Sequence, residues 1–288
     1  MAKKKSSVKG NISAKKPSTG LARRKVAIFL VLAFGLSSIF YYLIANATNA
    51  SDALIFTTAV MWCPAVAAVL TRLYCQRSLS GFALGIGNAK WQVVGILLPI
   101  LVGLVMFGSV WLTVGQFNYE NAAKVFSFAF LPGFAGALAF NLFAAFGEEL
   151  GWRGLLVPEM SKFMGFTKMA VLTGAIWTAW HLPFILFGSY HGSGELWFSL
   201  AVFIPSVICS GIVLAWLRLK SGSVWTAVLF HGIWNYFIQH IYPMLTVQTP
   251  ATEMITGEFG WASPVIYLVL ALVAWNYRGL LPKSAFRT

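Results

Sequence analysis

Eight stretches of about twenty mostly apolar residues recur along this chain: roughly Val26 to Ala45, Ala53 to Thr71, Trp91 to Val114, Phe128 to Val157, Met169 to Phe187, Leu196 to Leu217, Val224 to Ile241 and Trp261 to Tyr277. About 20 residues of helix cover the hydrocarbon of a bilayer. Backbone groups there must be paired inside the protein, which leaves helices as the simplest solution. The expected fold class is therefore all-α, a polytopic membrane helix bundle of about eight transmembrane helices. Composition agrees: 58% hydrophobic and 10% charged residues, with a mean hydropathy of +0.75, leave too little polar surface for a soluble globule.

The net charge of +13 would suggest nucleic acid in a soluble chain, but nine of the 21 Lys and Arg lie in the first 25 residues, with no aromatic among them. Residues 1–25 read as a basic, disordered cytoplasmic tail beside anionic lipid, and 26–288 as a single transmembrane domain. No nucleic-acid partner is expected. The first window is longer than a signal-peptide core, so it reads as a retained anchor despite Ala45-Asn46-Ala47. Asn46 and Asn49 match glycosylation acceptors but sit against the membrane and read as loop polars. Cys63, Cys75 and Cys209 form neither a CxxC nor a metal spacing.

Orientation follows from the basic residues. An N-terminus inside puts Arg72, Arg77, Lys90, Arg153, Lys162, Lys168, Arg218, Lys220, Arg278, Lys283 and Arg287 at cytoplasmic ends and leaves only Lys124 outside. Asp52, Glu120, Glu195, Glu253 and Glu258 then fall in outer loops. Both termini are expected in the cytoplasm.

Against this apolar background stand Glu148 and Glu149, followed by Arg153. Ionisable groups within a span are costly unless paired, so they read as functional. The fourth window is overlong, and a helix starting near Pro132 and Gly133 places both glutamates well inside it. Neighbours on a helix point about 100° apart, while Arg153 lies four residues after Glu149 on the same face, a favourable acid-base order. Glu149 is then the structural carboxylate, supported by Arg153. Glu148 points elsewhere, along Asn141, Ala145, Trp152 and Leu155, without a partner nearby in sequence. A carboxylate in that setting suits a general base for water. The alternative is that both glutamates are structural.

His181 and His231 lie inside helices, whereas His191 falls in an outer loop and His240 near an outer helix end. Asn235 follows His231 by four residues and shares its face. Histidine and asparagine so placed can receive an oxyanion or fix a metal or a water. Counting along the helices puts these residues between the midplane and the cytoplasmic face, with substrate arriving from the cytoplasm or the inner leaflet. Trp152, Trp177, Trp180 and Trp234 cluster around the polar residues, as groove lining or as packing.

The run Glu148-Glu149-Leu150-Gly151-Trp152-Arg153-Gly154, then Trp177 four before His181, then His231 four before Asn235, resembles the CPBP family of intramembrane proteases. That family includes the type II CAAX prenyl endopeptidases and bacteriocin-processing or immunity proteins. The resemblance covers about residues 138–241. Trp177 stands where the family more often has phenylalanine. What the resemblance implies is hydrolysis of a peptide bond in a peptide or membrane-protein substrate: Glu148 as base on a water, His181 and His231 assisting, Asn235 stabilising the oxyanion, and Glu149 with Arg153 as scaffold.

No HExxH, GxGD or GxSG motif points to another intramembrane protease class. No cofactor is expected. Zinc held by His181, His231 and Glu148 is the alternative, disfavoured because each ligand comes from a different helix and orienting carboxylates are scarce. Two other readings stand beside the enzyme: a catalytically idle scaffold or self-immunity factor, and a proton-coupled transporter, which the absence of an inverted repeat disfavours. The short loops suit a multi-pass protein of a bacterial plasma membrane. The sequence leaves the oligomeric state open.

Overall fold

The computed structural model describes residues 19–188 and 190–286. Residues 1–18, most of the basic tail, lie outside the described residues. The rest of that tail is not disordered: helix α1 (Thr19–Ala45) already includes it. Lys25 is buried there, bonded to Gln76 and paired with Glu159 across 3.3 Å.

Helices α2 (Ala50–Gln76) and α3 (Ala89–Val114) follow, then the short α4 (Tyr119–Val125). Asn49 caps α2 by accepting the Asp52 N–H, and Asn46 donates to Tyr42 O, so both loop asparagines serve the backbone. The fourth window is one helical run beginning as α5 (Leu131–Gly151), at the Pro132-Gly133 start expected. It continues through a π turn at Trp152–Leu156 into α6 (Val157–Met160). Then come α7 (Phe166–Phe187) and α8 (Leu196–Ser221), followed by α9 (Trp225–Tyr236), which runs through a second π turn at Phe237–Ile241 into α10 (Tyr242–Met244). The short α11 (Pro250–Ile255) and α12 (Ala262–Asn276) complete the bundle.

Among the described residues, seven helices are long and apolar enough to cross a membrane, and this is a multi-pass membrane protein. The window expected at Val224–Ile241 is not among the seven. It is helical, but His231, Asn235, Gln239 and His240 make it too polar by composition. Chain geometry nevertheless makes it a crossing. Arg23 near the start lies over Phe163, and Phe286 near the end packs on Phe166, so both described ends sit at one end of the bundle. That requires an even number of crossings, and the run from Trp225 to Met244 supplies the eighth. Helix α8 is central, with 61% of its apolar window buried against 17–39% for the other spans. The outward faces carry Val31, Leu112 and Val269, exposed as lipid contact demands.

Close approach around the glutamates rests on two glycines. A Cβ on Gly151 would lie 2.5 Å from Pro64 of α2, and one on Gly232 would lie 2.8 Å from Leu142 of α5. Only a residue without a side chain lets α5 meet α2 and α9 this closely. The orientation of the bundle is testable: reporters fused at Lys16 and Lys283 are expected to read cytoplasmic, and one near His191 external. An internal reading near His191 would overturn the assignment.

Candidate active site

Glu148 and Glu149 lie near the middle of the helical run from Leu131 to Met160, Glu148 about 18 Å from its Met160 end at 1.5 Å per residue. Both are buried. Glu149 accepts the Arg153 Nη1–H at 2.8 Å and the His231 Nδ1–H at 2.9 Å, both on Oε1. The first contact is the expected i,i+4 pair. The second joins residues 82 apart and has no local signal in the sequence.

The π turn begins after Leu150 and Gly151, and its extra residue rotates everything that follows relative to a regular helix. Trp152, its first residue, still bonds back to Glu148 O, and its ring packs edge-on against Phe29 and Trp180 rather than lining the cavity. Asn141 and Glu148 do share a cavity face, joined by Ala137 and Ala144 in place of Ala145, Trp152 and Leu155. Carbonyl groups of the turn are held from two sides: Arg218 Nε donates to Arg153 O at 3.0 Å, and Arg72 Nη2 to Gly154 O at 3.2 Å. These buried arginines of α8 and α2 fix the segment that carries the acidic pair.

Trp177 is the hub of the site, a role beyond groove lining or packing. Its Nε1–H donates to Glu148 Oε2 at 2.8 Å, the Arg153 guanidinium lies 4.1 Å from its ring centroid, and its ring meets His181 and His231 edge-on. A phenylalanine could make the ring contacts but not the hydrogen bond. The signal was present in the residue type, since indole is a donor. Oε2 of Glu148 is thus occupied, leaving Oε1 as the oxygen that can take a proton.

His181 Nδ1 lies 2.9 Å from Trp177 O. A carbonyl only accepts, so Nδ1 carries the proton and the neutral ring presents Nε2 as an acceptor. His231 differs: its Nδ1–H is spent on the Glu149 carboxylate, a counter-charge beside which the ring can carry a second N–H on Nε2. Asn235, one turn after His231, makes no hydrogen bond with the described residues, so its amide remains available.

Glu148, His181, His231 and Asn235 line one cavity of about 630 Å³, which Glu149 and Arg153 support from outside its lining. Trp177, Trp180 and Trp234 line it as well. The cavity does not run toward the basic ends of the helices, where counting along the helices places its mouth. Its other lining residues, Ile44, Ala53, Tyr190, His240 and Glu258 among them, lead toward the loops at the opposite end. His240 therefore belongs to the cavity, while His191 is exposed and bonds Gly192 O. Glu258, expected in an outer loop, also lines it, accepting Tyr190 Oη–H at 2.5 Å, Trp234 Nε1–H at 3.1 Å and Gln239 Nε2–H at 3.0 Å. Burial, and after it the Glu258 charge, hold the Tyr190 pKa well above the usual tyrosine range, so Tyr190 stays a donor.

Among the described residues, no group of three or more His, Cys, Asp or Glu side chains is placed to hold a metal ion.

A family model described as type II CAAX prenyl endopeptidase Rce1-like matches residues 129–237, which contain Glu148, Glu149, Arg153, Trp177, both site histidines and Asn235. Among curated proteins, CAAX prenyl protease 2 of Methanococcus maripaludis is 30% identical over 183 residues, covering 62% of this chain and 60% of that protein. The match thus spans about three fifths of the relative's length.

Proposed function

Taking as premise a CPBP-family protease, which the matched segment and the curated relative both support, we propose that this chain is an intramembrane endopeptidase that hydrolyses a peptide bond of a peptide or membrane-protein substrate. The observation that carries the proposal is the convergence of Glu148, His181, His231 and Asn235 from three helices on one cavity. Their chemistry is that of water-mediated acyl transfer.

Glu148 Oε1 takes a proton from water as the water oxygen attacks the scissile carbonyl carbon. His181 Nε2 accepts the second water hydrogen and orients the nucleophile. The carbonyl oxygen becomes an oxyanion, received by the Asn235 amide N–H and by His231, whose charge the Glu149 carboxylate balances. As the C–N bond breaks, Glu148 returns its proton to the leaving nitrogen, giving an amine and a carboxylic acid, which then releases the second water proton to become the new carboxylate. Every step uses groups of this chain, and none is routed through a metal. Activity is therefore expected to survive prolonged dialysis against a strong chelator. Loss on chelation, restored by added zinc, would overturn the metal-free mechanism.

Substrate reaches the cavity from the loop end opposite the termini, or sideways within the bilayer at that level. With the basic ends in the cytoplasm, that is the outer side of the cell membrane, and the short loops agree with a bacterial one. The relative is named for CAAX prenyl substrates; for this chain the proposal is the peptide bond alone. The experiment that tests it compares chain termini of membrane proteins, by mass spectrometry, in cells carrying the wild type or Glu148→Gln. New termini present only with the wild type are expected. Identical sets would favour an idle scaffold.

A further inference from the structure

The proposed hydrolysis does not use Glu258, although this carboxylate lines the same cavity as Glu148. Its three partners, Tyr190, Trp234 and Gln239, are neutral donors that fix both oxygens without cancelling the charge. Among the described residues no Lys or Arg pairs with Glu258, and none lines the cavity. Lys and Arg elsewhere in the fold are committed to other partners or lie at the basic end, behind the site. The surrounding walls are aromatic: Tyr190 meets Phe203 and Phe259, and Trp234 meets Tyr267 at 4.9 Å. A partly buried carboxylate ringed by aromatic faces attracts a cation twice, by charge and by the ring quadrupoles. The carboxylate is also tied to the catalytic groups. Tyr190 stacks on His181 at 6.4 Å, and Trp234 stands between His231 and Asn235 on α9.

Resting on the reading of this cavity as the substrate site, we propose that Glu258 forms a cation-selective subsite, receiving an ammonium or guanidinium group of the substrate near the scissile bond. The group is either a basic side chain or a free amino terminus, and a bound cation would complete the pairing that the neutral donors leave unmade. An acidic substrate residue at the same position would face Glu258 directly and be rejected.

The test measures peptide binding to the full chain in zwitterionic lipid nanodiscs by tryptophan fluorescence, with empty nanodiscs as the control for partitioning. Glu148→Gln serves as the background so that nothing is cleaved. Short apolar peptides, amino-terminally acetylated, carry Lys, Gln or Glu at one central position, and a further Gln peptide has a free amino terminus. The Lys peptide or the free-amine peptide is expected to bind about tenfold tighter than the capped Gln peptide, with the Glu peptide weakest. Which of the two gains identifies the source of the cation. Adding Glu258→Gln, which keeps acceptor and shape, should abolish the preference.

Equal binding of all the peptides, or a preference that persists in Glu258→Gln, overturns the proposal. If Glu258→Gln fails to accumulate, the comparison among peptides still decides, because it needs no change at that position. Binding is read without turnover, so charge selectivity in a chain that cleaves nothing would remove the hydrolysis reading and leave the subsite standing.

Discussion

Glu148→Gln is expected to lower turnover by about 10²–10⁴-fold, the range lost when a positioned general base is removed, while the protein accumulates near wild-type levels. Both halves follow from the geometry. The glutamine amide oxygen can still accept the Trp177 indole N–H that now reaches Oε2 at 2.8 Å, so the side chain keeps its place. What disappears is the free carboxylate oxygen facing the cavity. Turnover of a substrate found by terminus mapping, measured beside the thermal unfolding midpoint, checks the prediction. Wild-type turnover in the variant would remove Glu148 from its role.

Glu149→Gln should behave differently, with the largest effect on the protein itself. Glu149 is fully buried, and the Arg153 side chain is only 3% exposed. Removing the carboxylate leaves a guanidinium without its counter-charge in the interior, which costs about 3–5 kcal/mol. Set against a typical total stability of about 5–15 kcal/mol, this predicts a marked drop in accumulated protein as well as lost activity. His231 loses its counter-charge in the same step, although the glutamine oxygen can still accept its Nδ1–H. Abundance in membranes and the unfolding midpoint in detergent provide the readout. Adding Arg153→Met to Glu149→Gln should restore much of the abundance without restoring turnover, because it removes the unpaired charge but not the defect at His231. A single variant that accumulates normally would show that the pair does not hold the helix.

The parts of this architecture that were legible in the sequence are those with local periodicity. Apolar windows marked the spans, and i,i+4 spacing marked both the Glu149–Arg153 pair and the shared face of His231 and Asn235. The same counting placed Asn141 on the Glu148 face of α5 but missed Ala137 and Ala144. The π turn at Trp152–Leu156 was not legible, because no residue type there forbids an ordinary α-turn, and neither was the packing of Trp152 on Phe29 and Trp180 in place of the cavity. Contacts between distant segments were equally silent: His231 to Glu149, Arg218 and Arg72 to the turn carbonyls, and Glu258 brought from a loop to the cavity. The eighth crossing was visible as an apolar window, yet it is diluted by the polar residues that make it part of the site. Its status rests on where the chain ends lie.

The central claim is that this cavity adds water across a peptide bond with Glu148 as the base. Cleavage in water enriched in ¹⁸O, followed by mass spectrometry of the fragments, addresses it most directly. The wild type is expected to place one ¹⁸O atom from solvent in the new carboxyl terminus, and Glu148→Gln is expected to form almost no labelled product in the same time. Unlabelled fragments from a single turnover, or labelled fragments formed at the wild-type rate by Glu148→Gln, would contradict it.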